Sequence, residues 1–155
     1  MVRLADLEAF VVAAKSATYV GSGSPAESSR LGAHDLTFAS DDWLYRDSYF
    51  GGTDFLGQET VWLRAEPVWA ENYYGYILRP DLIDASQAGA TIKAALSAMY
   101  QQGRFLGGFD WAGPRGHYQD HSSGGAVACT TLSDSGDNKD GFEVSVRLDT
   151  IHPSG

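Results

Sequence analysis

Two segments carry apolar residues at helical spacing, and much of the remaining chain alternates apolar and polar positions. Leu4, Leu7, Phe10, Val11 and Ala14 fall three or four apart, which predicts a helix over about residues 4–18 that stops before Gly21-Ser22-Gly23. Residues 21–33, rich in Gly, Ser and Ala around Pro25, read as a loop or flap. A short strand at Leu36-Thr37-Phe38 meets a turn at Ser40-Asp41-Asp42. Alternation is strict from 43 to 50: Trp43, Tyr45, Asp47 and Tyr49 share one face, and Leu44, Arg46, Ser48 and Phe50 the other. Gly51-Gly52 ends that strand. Residues 58–64 form the next, Ala65-Glu66-Pro67 a turn, and residues 68–78 a third long strand. Such short connections predict an antiparallel meander.

Asp84 suits an N-cap, Ala88, Ile92, Ala95, Leu96 and Met99 form one apolar stripe, and Gly103 closes the segment. Together they predict a second helix over about residues 84–101. The glycine-rich stretch 103–116 reads as a connection. Strands follow near 117–120, 126–132 and 142–148, with a polar loop over 133–141. The order α-β-β-β-β-α-β-β-β predicts an α+β fold on an antiparallel β-sheet of about six to eight strands, in one domain spanning 1–155. Strong curvature of that sheet is compatible with the pattern. One internal similarity stands out. Tyr45-x-Asp47-x-x-x-Gly51-Gly52 recurs as Tyr118-x-Asp120-x-x-x-Gly124-Gly125, each copy following one of the two helices. Either the chain is an internal duplication about a pseudo-twofold axis, or a Gly- and Tyr-rich sequence has matched itself by chance.

Charge and composition then remove several function classes. The formal net charge is −9, and 11 basic residues are scattered among 20 acidic ones without a basic run. Direct nucleic-acid binding, which relies on clustered cations neutralising phosphates, is not expected. No apolar run reaches the roughly 18 residues of a membrane span. The opening Met1-Val2-Arg3-Leu4-Ala5-Asp6 lacks a signal-peptide pattern, and the single Cys129 cannot form an internal disulfide, so a cytoplasmic protein is expected. Cys129 lies in a small apolar strand and reads as core. No phosphate-loop, dinucleotide or nucleophile-elbow motif occurs, so no cofactor is expected. His117 and His121 sit on an expected strand, about 13 Å apart at the usual rise, too far for one metal ion.

The candidate chemistry lies on the central strands. An ionised carboxylate among aromatics is an odd core, because burying it unpaired is costly. Asp47 therefore faces solvent, is buried and hydrogen-bonded, or lines a pocket. Residues 68–78 repeat the question, with Asn72, Tyr74 and Tyr76 on one face and Trp69, Glu71, Tyr73 and Ile77 on the other. Trp43, Tyr45, Tyr49, Trp62, Trp69 and Tyr74 could supply apolar walls, with Asp47, Glu59 and Asn72 as polar anchors. Tyr118 and Asp120 would add a second wall. The plainer alternative is a half-exposed sheet with aromatics packed beneath a helix.

These residues also carry a resemblance. Asp47-Ser48-Tyr49-Phe50-Gly51-Gly52, then Phe55-x-Gly57-x-Glu59-x-Val61, then Pro67-Val68-Trp69-x-x-Asn72-Tyr73-Tyr74-Gly75 resembles the bacterial domain of unknown function 5680. Ala14-Lys15-x-Ala17-Thr18-Tyr19 and Gly32-x-x-Asp35-Leu36 fit its opening, so the likeness is good over residues 4–78 and weak in the C-terminal half. There the family's second Phe-x-Gly-x-Glu and closing Tyr-His-Gly-Gly give way to Gly141-Phe142-Glu143-Val144 and Ile151-His152-Pro153-Ser154-Gly155. Members stand alone or downstream of a helix-turn-helix regulatory domain, which implies a metabolite sensor. With no DNA-reading segment, this chain is expected to be a stand-alone binder of a small organic molecule, aromatic or polycyclic. The alternative is a cofactor-free isomerase, cyclase or hydrolase of a bacterial biosynthetic pathway, with Asp47 or Glu59 as base and Tyr45 as the phenolic donor. A protein-interaction module with an exposed aromatic patch is a third reading. A homodimer is compatible with all three.

Overall fold

The computed structural model describes residues 2–21, 23, 25–114, 116–123, 129–133 and 144–151, with side chains as far as residue 120. Helix α1 (Leu4–Ala17) precedes β1 (Pro25–Ala26), β2 (His34–Ser40), β3 (Trp43–Gly51), β4 (Phe55–Leu63) and β5 (Glu66–Ile77). Helix α2 (Ala85–Tyr100) precedes β6 (Phe109–Gly113), β7 (Gly116–Ser123), β8 (Cys129–Ser133) and β9 (Val144–Ile151). This is the expected α+β fold, and every pairing in the sheet is antiparallel.

Local chemistry sets the boundaries. The Asp84 side chain accepts the Gln87 backbone N–H at 2.8 Å, so it is the N-cap the sequence suggests. Gly103 follows α2 with φ +73°, the left-handed conformation that commonly stops a helix. Arg64 and Ala65 both have positive φ in the β4–β5 hairpin, whose reversed twist matches the strands it joins. At the β3–β4 turn, Gly51 adopts φ +92° beside the Asp54 carbonyl, where a Cβ would collide.

Two strands exceed the expectation. Pro25–Ala26 pairs with Asp35 and Leu36 at the sheet edge, inside the stretch read as a flap. That stretch is pinned because buried Asp35 accepts the Ser29 N–H at 3.0 Å and the Ser48 hydroxyl at 2.6 Å. β6 lies in the stretch read as a connection. Its Phe109-Asp110-Trp111 core pairs with β7 although glycines surround it. With both, the described residues form a sheet of nine strands. Residues 124–128 and 134–143, including the second Gly-Gly and the polar loop, lie outside the described residues.

The strand order is β1-β2-β3-β4-β5-β9-β8-β7-β6. It is open, with β1 and β6 at its edges, and it is not rolled into a closed barrel. Outward from the central pair, α1 goes with β5, β4, β3 and β2 on one side, with the short β1 beyond them, and α2 goes with β9, β8, β7 and β6 on the other. Registers match too. Asp47 pairs with Leu36 and Glu59, while Asp120, its counterpart, pairs with Phe109 and Leu132 at the same displacement along the chain.

The buried face of α1 presents Leu7, Phe10, Val11 and Ala14 to Tyr45, Val61 and Trp69 of the sheet, with Met99, Tyr100 and Phe105 closing the cluster. Among the described residues no helix is long and apolar enough to cross a membrane. Trp69, 1% exposed and edge-on to Phe105 at 6.1 Å, is the largest side chain of this core. Trp69→Ala is expected to lower unfolding free energy by about 3–5 kcal/mol, measured by urea denaturation.

Candidate functional site

Strand register brings three acids together. Asp47 lies opposite Glu59, and Glu59 opposite Glu71, all on the face turned toward the helices. Like charges directly opposite in a sheet are destabilising, so the row needs a counter-charge. Lys15, on the buried side of α1, donates through Nζ to Glu59 Oε1 at 2.6 Å and to Glu71 Oε1 at 2.9 Å. Desolvation opposes the lysine's charge, but Glu59 and Glu71 outweigh it and hold Lys15 well above its ordinary pKa. It is therefore a structural ammonium rather than an amine nucleophile. Burial pushes the Glu71 carboxyl up to about 8, with Lys15 opposing and Glu59 adding to the rise.

Asp47, at the other end of the row, is pushed up to about 7 by burial and by the Glu59 charge, while a hydrogen bond from Tyr73 opposes the shift. That bond, Tyr73 Oη to Asp47 Oδ1 at 2.6 Å, spans β4. It is possible because the residue between them is Gly57, paired with both Tyr49 and Tyr73. A Cβ at Gly57 would overlap the Tyr73 hydroxyl and ring. Gly75 likewise leaves room for the Phe55 ring, so the two aromatics cross each other's strands over glycines. Burial, then the Asp47 charge, pushes the Tyr73 phenol far above its ordinary value.

Above the row lies a cavity of about 280 Å³. Ala88, Ile92, Leu96 and Met99 of α2 form its apolar side; Tyr19, Tyr49, Phe55, Tyr73, Tyr100 and Phe105 supply aromatic surface. Tyr118 and Asp120 of β7 also line it. The Tyr118 hydroxyl lies 3.5 Å from Asp120 Oδ2. Lys93 lines the cavity with its Nζ 5.4 Å from the centre of the Tyr19 ring. Among the described residues, no three His, Cys, Asp or Glu side chains are placed to hold a metal ion.

Of the residues singled out from the sequence, Asp47, Tyr49, Glu59, Tyr118 and Asp120 line the cavity. Trp43 instead stacks on Phe10 at 5.2 Å, and Trp69 packs in the core. Tyr45 is wholly buried beside the row, two residues from Asp47 on the same face; burial, then the charges of Glu59 and Asp47, raise its phenol well above its ordinary value. Trp62, Asn72 and Tyr74 have the opposite parity and lie on the other face of the sheet. There Asn72 Oδ1 accepts from Gln58 Nε2 at 2.9 Å, and Tyr74 stacks on Tyr76. Lys15, Glu71 and Tyr73 were not singled out. Lys15 had a signal, since it falls four residues after Val11 on the apolar stripe of the first helix. Glu71 and Tyr73 share the parity of Trp69, and a core tryptophan identifies the inward face.

Fold and site thus define an α+β antiparallel-sheet protein with an acidic, aromatic cavity under its second helix. The chain belongs to the DUF5680 family, a domain of unknown function, whose model matches residues 47–131, more than half of its length. No curated protein and no solved structure matches the chain.

Asp47 and Glu71 ionise near pH 4 when unfolded and only near 7 and 8 when folded, so the folded state holds extra protons between those limits. Stability is therefore expected to be greatest at the acid end of that window and to fall as pH rises through 7 to 8. Melting midpoints from pH 5 to 9 measure the slope, and Asp47→Asn should flatten it. Gly57→Ala should push Tyr73 off Asp47 and cost about 1–3 kcal/mol, with the Asp47 carboxyl titration, followed by ¹³C NMR, moving away from the wild-type value.

Proposed function

We propose that this domain binds a small organic molecule in the cavity between α2 and the Asp47–Glu59–Glu71 row. The observation that carries this reading is the pairing of an apolar helix wall with buried carboxyl and phenol groups across about 280 Å³ of space. Ligand sites combine apolar walls with a few fixed polar groups in this way, and their volumes begin near 300 Å³. That size favours one or two rings over a larger polycycle. The acidic charge and single cysteine support a cytoplasmic setting. Native mass spectrometry of protein purified from its own cells should reveal a bound organic mass. Ile92→Trp, which fills the cavity from the α2 side, should abolish it; retention of the same ligand by a folded Ile92→Trp variant would sink the proposal.

A second reading is acid–base catalysis in the same cavity. The observation that favours it is Asp47, pushed up to about 7 and hydrogen-bonded to Tyr73, because a base works best with a pKa near the working pH. Incubating the protein with extracts of its own cells and following the metabolites by mass spectrometry separates the two readings. A catalyst converts a metabolite, and Asp47→Asn slows the conversion by orders of magnitude while ligand retention persists. A binder changes none.

A further inference from the structure

We propose that the cavity's ligand is an organic cation, a protonated amine on a one- or two-ring body, whose ammonium group docks between Asp47 and Glu59. This deepens the ligand-binding reading and rests on it.

The first support is an acceptor that the protein leaves unused. Lys15 engages one oxygen of Glu59 and one of Glu71, and among the described residues Glu59 Oε2 meets no hydrogen-bond partner. The Glu59 side chain is only 9% exposed and belongs to the cavity wall. Buried polar atoms are rarely left unsatisfied, and a carboxylate oxygen is satisfied by a donor. The second support is the neighbour. Across the strand pair, Asp47 has one oxygen bound to Tyr73 and lines the same wall, so a group between Asp47 and Glu59 meets acceptors from both. An ammonium carries three donors for such acceptors, whereas a carboxylate or phosphate would bring only further acceptors. The third support is aromatic. Tyr19, Tyr49 and Phe55 line the cavity together with Asp47 and Glu59, and rings attract cations through their negative faces. The Tyr19 ring already does so with Lys93.

Probes of similar shape and different charge test the inference on the full chain. Calorimetry compares tryptamine with its uncharged counterpart tryptophol and its acidic counterpart indole-3-acetic acid. Phenethylamine, 2-phenylethanol and phenylacetic acid form the one-ring series. The amine of either series is expected to bind roughly tenfold or more tightly than its alcohol and acid. Asp47→Asn and Glu59→Gln, each checked for a cooperative melt, should bring amine and alcohol within about threefold of each other. Glu59 also holds Lys15, so Asp47→Asn serves alone if Glu59→Gln does not fold. Equal binding of alcohol and amine, tighter binding of the acid, or an amine preference that survives Asp47→Asn overturns the proposal and leaves the cavity reading standing. Failure of both series to bind at millimolar concentration also overturns it, while the cavity reading is judged by Ile92→Trp.

Discussion

The ion pairs of Lys15 with Glu59 and Glu71 are the contact on which the rest of the arrangement depends. Three acids in register across adjacent strands would repel one another if left alone, and each would resist leaving water. One ammonium from α1, held at 2.6 and 2.9 Å from two of them, makes the row tolerable and ties the helix to the sheet at one point. The same contact constrains register. A slip of one residue along β4 would turn Glu59 outward and bring Gln58 under the helix, leaving Lys15 with half its partners. Because Lys15 is spent on Glu59 and Glu71, Asp47 depends on Tyr73 instead, and it keeps a proton-accepting range near neutrality.

The glycines explain much of what the family motif contains. In Phe55-x-Gly57-x-Glu59, Gly57 lets Tyr73 cross from β5 to Asp47 on β3, and Phe55 crosses the other way over Gly75. A side chain at Gly57 would push the phenol away from the carboxyl, and one at Gly75 would displace the Phe55 ring. Phe55 and Glu59 of that motif themselves line the cavity.

The two halves share topology and register but differ in chemistry. Asp120 stands where symmetry places a second Asp47, and it lines the same cavity. The position matching Glu59 is Leu132, and its partner on β9 is Val146, so the acid row has no copy on that side. The two halves thus share a strand pairing, and the acid row lies on one of them.

The sequence by itself determined the class and order of elements. Helical spacing marked α1 and α2, Asp84 marked a cap, and strict alternation put Asp47 on the face of Tyr45 and Tyr49; such patterns depend only on neighbours along the chain. It also contained the repeat. Composition could not tell which parity of β5 faces inward, because Asn72 and Tyr74 are as suited to a pocket as Glu71 and Tyr73. Only packing decided it: Trp69 is buried against Phe105, and that orientation carries Glu71 and Tyr73 inward with it. The partner of the acids was likewise set by tertiary structure, since Lys15 lies 44 residues before Glu59 and 56 before Glu71. No local pattern joins residues so far apart. The fold brings them within a hydrogen bond because a buried ammonium and buried carboxylates each need the other.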